Sequence, residues 1–546
     1  MLLGLPEEIL LTIILNLPCY RDILRCSETC QRLRALIAAS GAVQHRIELG
    51  RCGMIEGFGA SALQESTKER AKLLRDTISK RRSFQPTLVR DLGITQAQNN
   101  QAFALLDGIY VRSTIGPLDV PSPASDEPIS QLYIRDVSGD CADPPKVTLL
   151  DILALDINIA PSLDLIVLLA PEPNPGPFGD ICLHIHLRTL SSGGTKSHPR
   201  ATMSVLPFTY NEVDIGAEEE RHIFIDGDIV AVYIRDCQLE IYRWTNGQHL
   251  VHWRCRSEGR FIGAFSLISP TCFVIGHSGL GLGHIAVYPL PQGDTHDRKR
   301  LEISDAHVEA ALPRLRVHQH TSVTRIFDSP PRSPRGALEA ASRICVMQVT
   351  VEEVYPLTDR IVEDVPEADL TYVIRHDLFE RLLLDHLSIE QTDTVKVGWD
   401  IWGPNNTRLL DVKTEDLPDV SVSSGSRFFS RRIDNQILNA EDGTILCSFY
   451  CFDFGDVRDP AFLLDVRNDQ AHAGPYVHRV FTSGDDQPVR GIYTHLPYYA
   501  IETRVDDFKW TNVLVDGNRI ICIRTTGSFG PAALAGSTNS EHVYDL

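Results

Sequence analysis

No apolar run in this 546-residue chain reaches the length of a membrane span. Past the first residues the longest is Leu163 to Ala170, and Asp164 breaks it. A spanning helix needs about 20 such residues, so no membrane association is expected. Basic residues are missing ahead of the N-terminal apolar stretch, and Glu7, Glu8 and Asp22 interrupt it. A secretory signal is therefore not expected either. No Cys-x-x-Cys pair occurs among the 13 cysteines, and the closest pairs, Cys26/Cys30 and Cys447/Cys451, stand four apart. That spacing departs from common zinc knuckles. Thiols scattered singly fit reduced, mostly buried cysteines and a cytoplasmic or nuclear location.

Positive charge is in short supply, with 52 Lys and Arg against 72 Asp and Glu, a net of −20. Nucleic-acid binding relies on neutralising phosphates, and this balance speaks against it. The deficit is uneven. Residues 1–90 hold 14 Lys/Arg and 9 Asp/Glu, a net of +5, which leaves −25 on the rest. An acidic body suits a basic partner, although such charge is more often a solvated surface.

The marks of catalysis are scarce as well. A Gly-x-Ser-x-Gly elbow is absent, and the region of Ser424-Gly425-Ser426 lacks the flanking pattern of one. The glycines from Gly279 to Gly283 have the wrong spacing for a dinucleotide fingerprint and precede a strand, which reads as a tight hairpin. His184 and His186 alternate on one strand and share a face, but no third ligand stands at a suitable distance in sequence, so a structural role is expected. Carboxylate pairs are too common in an acidic chain to identify a glycosidase dyad. No catalytic residue, metal or cofactor is expected.

What the chain does have is an ordinary globular composition, 43% apolar with a mean hydropathy of −0.09, and a length that suggests roughly two to four domains. It opens on helices. Pro6 suits the first position of a helix, and Glu7 and Glu8 suit its first turn. Ile9, Ile13 and Leu17, with Leu10 and Ile14 one step round, form a wide apolar stripe that Pro18 ends. Asp22 is placed to cap a second helix carrying Ile23, Leu24 and Cys26. A third helix is expected from about Glu28 to Ala39, with Cys30, Leu33, Leu36 and Ile37 on its apolar side, stopped by Ser40-Gly41. So small a unit has little interior, and its surplus apolar surface marks a partner-binding face.

These residues resemble an F-box, the motif that docks substrate receptors onto the Skp-family adaptor of cullin ubiquitin ligases. Leu5-Pro6 matches the family's leading Leu-Pro, Glu8-Ile9-Leu10 its acidic-then-aliphatic step, and Asp22-Ile23-Leu24 its mid-motif Asp-Leu-Leu. Leu33 stands where the family often has Trp, and Cys26 where a larger aliphatic is common. The resemblance covers roughly residues 4–40. It implies that Leu5, Pro6, Ile9, Leu10, Ile14, Leu17, Ile23 and Leu24 supply the adaptor-facing surface, and that a cullin is reached through the adaptor. A short F-box ahead of a long divergent body is similar to the fungal group of F-box proteins.

Residues 61–83 read as one amphipathic helix with Ser61 as its cap, Leu63, Leu74 and Ile78 among its apolar positions, and Lys80-Arg81-Arg82 at its basic end. That triplet suits an import signal, although a basic helix terminus is usually left in water. After residue 90 the period changes from 3.6 to 2. Leu163–Leu169 is followed by Ile181–Leu187, Asp226–Tyr233 by Leu239–Trp244 and Asn246-Gly247, and Cys272–Ile275 by His284–Tyr288. Weaker fragments recur near Arg343–Val351, Val395–Trp402, Gly443–Phe452 and Val513–Ile523. Such units suggest a WD-repeat-like β-propeller, although Trp399-Asp400 is the only Trp-Asp dipeptide. A β-sandwich or a mixed α/β receptor domain is the alternative, and the helix expected at Asp377–Ile389 suits a mixed fold. Pro-rich surface loops are expected at Pro117–Pro128, Pro171–Pro177 and Ser329–Gly336, the last with two Ser-Pro steps, and a tail that frays unless strand-paired after Thr525.

The expected α+β organisation is therefore a three-helix F-box module at 1–45, a helical linker at 46–90 and a β-rich body at 91–546. The expected function is a noncatalytic substrate receptor of an SCF-type ligase, with an unknown protein target on the acidic body. The alternative is a propeller hydrolase or lyase with an unrelated helical segment in front.

Overall fold

From Thr87 onward, β-branched and aliphatic bursts alternate with Gly-bearing turns, and in the computed structural model these bursts are strands. Its described residues are 5–545 except 18, 57–65, 84–86, 97–101, 116–129, 139–143, 173–181, 210–219, 236, 255–260, 280–282, 292–305, 314–318, 329–337, 341–342, 354–367, 388–393, 411–422, 439–444, 455–470, 473–475, 479–491, 495, 497, 506–511, 517–518 and 527–537. The strands form seven antiparallel blades around one axis, a β-propeller. Blade 1 is Phe103–Leu106, Ile109–Ile115, Ser130–Asp136 and Lys146–Leu149. Blade 2 is Asp156–Ala160, Leu165–Pro171, Cys182–Thr189 and Val205–Thr209. Blade 3 is Arg221–Asp226, Ile229–Ile234, Gln238–Arg243 and Gln248–Arg254.

Blade 4 (Phe261–Ser269, Cys272–Gly279, His284–Pro289, Val308–Ala311) gains an outer parallel strand, Val395–Val397. Blade 5 is Gln319–Asp328, Ile344–Glu353, Ala368–Arg375 and Thr407–Leu410. It joins blade 4 through the pairs Ser278↔Ser322 and Gly279↔Thr321. Blade 6 is Ser423–Ser424, Arg427–Leu438, Ile445–Asp453 and Tyr498–Val505. Blade 7 takes three strands from the end of the chain, Asn512–Asp516, Arg519–Thr526 and Thr538–Asp545, and its outer strand from the start of the body, Thr87–Gln96. The described part of the tail, Thr538–Asp545, is thus strand-paired. The boundary drawn between residues 90 and 91 falls inside that closing strand.

Stacked blades explain why the central strands are apolar throughout. Side chains alternate between the two faces of a strand, and in a propeller both faces are covered by neighbours. In Leu165–Pro171, Leu165, Val167 and Leu169 pack on Val230, Val232 and Ile234 of blade 3. Ile166 and Leu168, between them, pack on Val111 and Leu132 of blade 1. The same parity holds next door, where Ile229, Ala231 and Tyr233 meet Phe265, Phe273 and Ile275 of blade 4. Ring closure adds a buried ion pair, Arg112 of blade 1 donating to Glu541 of blade 7.

Several expectations change in detail. Trp399-Asp400 opens a short helix, Trp399–Trp402, and not a blade strand. The inserted helix is real and spans Asp377–Leu387, with Leu378, Phe379, Leu382 and Leu383 in the core shared by blades 4 and 5. It lies on the propeller, so a mixed fold is not needed to explain it. The loops at 117–128 and 329–336, and most of 171–177, fall outside the described residues.

Candidate functional site

The N-terminal module is built of four helices rather than three: α1 Glu7–Leu15, α2 Tyr20–Thr29, α3 Gln31–Ala39 and α4 Gly41–Arg51. Pro6 sits at the N-cap of α1, one place earlier than expected, with Glu7 and Glu8 in the first turn. Cys19, not Asp22, precedes α2, which places Asp22 in its first turn. Cys30 interrupts the expected third helix, its Sγ accepting from the Leu33 N–H at 3.5 Å. Ser40 ends α3 and also caps α4, its hydroxyl accepting from Val43 N–H at 3.4 Å. A Ser-Gly step read as a stop is therefore also a start. Gly50 lets α4 approach α2, since a Cβ there would lie 2.4 Å from the Tyr20 ring.

Leu10, Ile14, Tyr20, Ile23, Leu33, Leu36, Ile37, Val43 and Ile47 make the module's own core. Three of the eight residues assigned to the adaptor-facing surface, Leu10, Ile14 and Ile23, therefore point inward, because α4 completes an interior that three helices lack. Leu5, Leu17 and Leu24 are half-buried at its edge. Pro6 is exposed, as are Ile9 (48%) and Ile13 (40%), which stand one turn apart on the outer side of α1. Ile13 was missed as a surface position, although its i,i+4 spacing from Ile9 was the available signal. Arg32 and Arg46 donate to the carbonyls of Leu5 (3.3 Å) and Leu17 (2.9 Å), fixing both ends of α1.

The module is tied to the propeller. Strand Met54–Glu56 pairs antiparallel with Leu338–Ala340, between the first two strands of blade 5. Glu56 Oε1 binds His45 Nε2 at 3.0 Å and Arg70 Nη1 at 2.7 Å, joining α4 to helix α5, Thr67–Ser83. Leu49, Met54 and Leu74 pack beneath. Ser66, rather than Ser61, caps α5 in a reciprocal box: its N–H donates to Glu69 Oε2 at 2.8 Å and its hydroxyl accepts from Glu69 N–H at 3.3 Å. Residues 61–65 lie outside the described residues, as do the side chains of Lys80-Arg81-Arg82.

On the propeller axis the first strands of six blades enclose a cavity of about 280 Å³. Its wall is highly charged. Glu220 accepts from Arg235 at 3.3 Å and also from Arg325, and lies 3.9 Å from His222. The His222 imidazole at 3.9 Å and the two guanidinium groups hold the Glu220 carboxyl down at about 2. Asp328 receives Arg343 at 2.9 Å and His376 at 3.2 Å. Burial pushes Asp156 and Asp226 the other way, each up to about 6. These groups form two clusters along the axis, Asp156, Glu220 and His222 where the strand Arg221–Asp226 begins, and Asp226, Asp328 and Arg343 where it ends, each suited to hydrogen-bonding a polar or charged group. His184 and His186 are elsewhere, their rings edge-on at 6.1 Å in blade 2.

Comparison with known proteins bears on the two parts separately. A family model described as F-box-like matches residues 2–47. No curated protein sequence matches the chain. Among solved structures, the WD40 domain of Toxoplasma gondii coronin is 8% identical with a TM-score of 0.31, covering 84% of this chain and 88% of that one. The WD40 domain of SCAP from fission yeast is 10% identical with a TM-score of 0.31, over 84% and 97%. Scores this low carry no argument, and the propeller rests on the strand pairings. The chain joins an F-box-like N-terminal domain to a seven-bladed β-propeller.

Proposed function

We propose that this chain is the substrate receptor of an SCF-type cullin ubiquitin ligase, acting in the cytoplasm or nucleus. The F-box-like module docks a Skp-family adaptor, and the propeller holds a protein target. Bond-making resides in other subunits, and this chain supplies proximity between the target's lysines and the ubiquitin carrier. The observation that carries the reading is the pairing of Ile9 and Ile13 on the open side of α1 while the module's core is complete without them. Apolar side chains left out of a finished core mark a docking surface. We assign docking to Pro6, Ile9 and Ile13, edged by Leu5, Leu17 and Leu24. Leu10, Ile14 and Ile23 hold the helices that present them.

Co-precipitation with the adaptor tests this, comparing wild type with Ile9→Asp/Ile13→Asp. Both positions are exposed, so the variant is expected to fold and to lose the adaptor. Undiminished capture by a folded double variant would overturn the reading. A hydrolase or lyase reading draws on one observation, the two axial carboxyls lifted to about 6. Turnover by wild type that vanishes in Asp156→Asn would favour it.

A further inference from the structure

We infer that blade 3 holds a divalent transition-metal site, of the Zn²⁺ class, formed by Glu240, His249 and His252. These side chains offer one carboxylate oxygen and two imidazole nitrogens, all within 4.8 Å of one another. Glu240 lies on the third strand of the blade with its side chain only 3% exposed. His249 Nε2 stands 2.5 Å from its Oε2 and His252 Nδ1 2.5 Å from its Oε1. Burying a carboxylate is unfavourable unless a cation or several donors compensate. Here two imidazoles converge on one such group, one ring nitrogen each.

The convergence is made by the backbone. Residues three apart on a regular strand point to opposite faces. The register between the third and fourth strands shifts after Ile241, which pairs with Val251, whereas Tyr242 pairs with His249. Leu250 is the extra residue of this bulge. It turns His249 onto the face where His252 already stands opposite Glu240. His249 is then held flat on the Tyr242 ring, with centroids 4.4 Å apart. Gln238 Nε2, two residues earlier on the same strand, donates to Glu240 Oε1 at 2.5 Å and helps orient the carboxylate.

An N₂O donor set with imidazole is the ligand chemistry of Zn²⁺, with a fourth position left for water or a partner's side chain. Metal–ligand bonds of about 2.0–2.2 Å set tetrahedral donors about 3.3 Å apart. The two 2.5 Å contacts run to different oxygens of Glu240, so a single ligating oxygen needs the histidine already on it to draw back slightly and the other to move towards it.

The full-length chain, stripped with EDTA and desalted, is dialysed against Zn²⁺ and its metal content measured by plasma mass spectrometry. One ion per chain is expected, and Co²⁺ in its place should show visible d–d absorption. His249→Asn and His252→Asn should each weaken binding by about tenfold or more, while still melting cooperatively in EDTA. Glu240→Gln should do the same, and if it does not fold, the two histidine variants decide. Wild type that retains neither Zn²⁺ nor Co²⁺ overturns the site, leaving a cluster that shares protons only. Retention undiminished in both histidine variants also overturns it, by placing the ion elsewhere.

Discussion

At the scale of single residues, neighbours of similar chemistry on α1 have opposite tasks. Leu10 is enclosed and Ile9 beside it is not. Leu10→Ala should cost about 2–5 kcal/mol of module stability, whereas Ile9→Ala should cost little, and chemical denaturation of the two variants separates them. Gly50 has a sharper requirement, because any Cβ collides with the Tyr20 ring. Gly50→Ala should destabilise by about 1–3 kcal/mol, read as a lower denaturation midpoint. Asp226 makes a prediction with a sign. Burial raises its folded carboxyl to about 6 from 3.8, so the protonated form is favoured in the native state. Its stabilising effect is complete below about pH 3.8, falls as pH rises towards 6, and is gone above. Asp226→Asn should therefore raise the melting temperature at pH 8 relative to wild type, with a gain that shrinks towards pH 5. An equal gain at both pH values would contradict it.

At the scale of elements, the decisive contacts are those between the helical module and the propeller. Three backbone-paired residue pairs, Met54↔Ala340, Ile55↔Glu339 and Glu56↔Leu338, tie them. A backbone pairing of this kind fixes direction as well as distance, as the proposed receptor role requires. Ile55→Pro should interrupt the pairing without touching the core of α1–α4. The expected outcome is faster amide exchange at Met54–Glu56 and Leu338–Ala340 with adaptor binding retained. Exchange at the wild-type rate would mean that packing of Leu49, Met54 and Leu74 suffices by itself. Helix spacing and the end signals of α1 and α3 were legible in sequence. The start of α4 was not, since Ser40-Gly41 serves equally as a terminus and as a cap, and only the tertiary fit of Val43 and Ile47 selects the second.

At the scale of the whole molecule, the ring closes by a strand from its own beginning. Thr87–Gln96 pairs along Thr538–Asp545, and the Arg112–Glu541 pair locks blade 7 to blade 1. A body fragment starting at residue 97 lacks the outer strand of blade 7, so it should melt lower than one starting at residue 84. Equal melting temperatures would mean that closure does not depend on this strand. Blades 2, 3 and 4 could be seen in sequence because their central strands are unbroken apolar bursts at a recognisable separation. Blades 1, 5, 6 and 7 were seen as fragments or not at all. Their strands carry more polar residues, such as Arg112 and Ser113, whose partners come from other segments: Arg112 donates to Glu541 of blade 7, and the Ser113 hydroxyl accepts from the Ala102 N–H.

The amino-acid order determined what can be read within a few residues: helices at the front, strands behind, an acidic body, and a surplus of apolar side chains on the first helix. These follow from propensity, spacing and local capping, whose partners lie within a turn or two. The tertiary structure decided which of those side chains stay outside, where the ring closes, and that a bulge brings Glu240, His249 and His252 together. Each of these depends on pairing between segments, and the register of that pairing is set by packing of the whole fold.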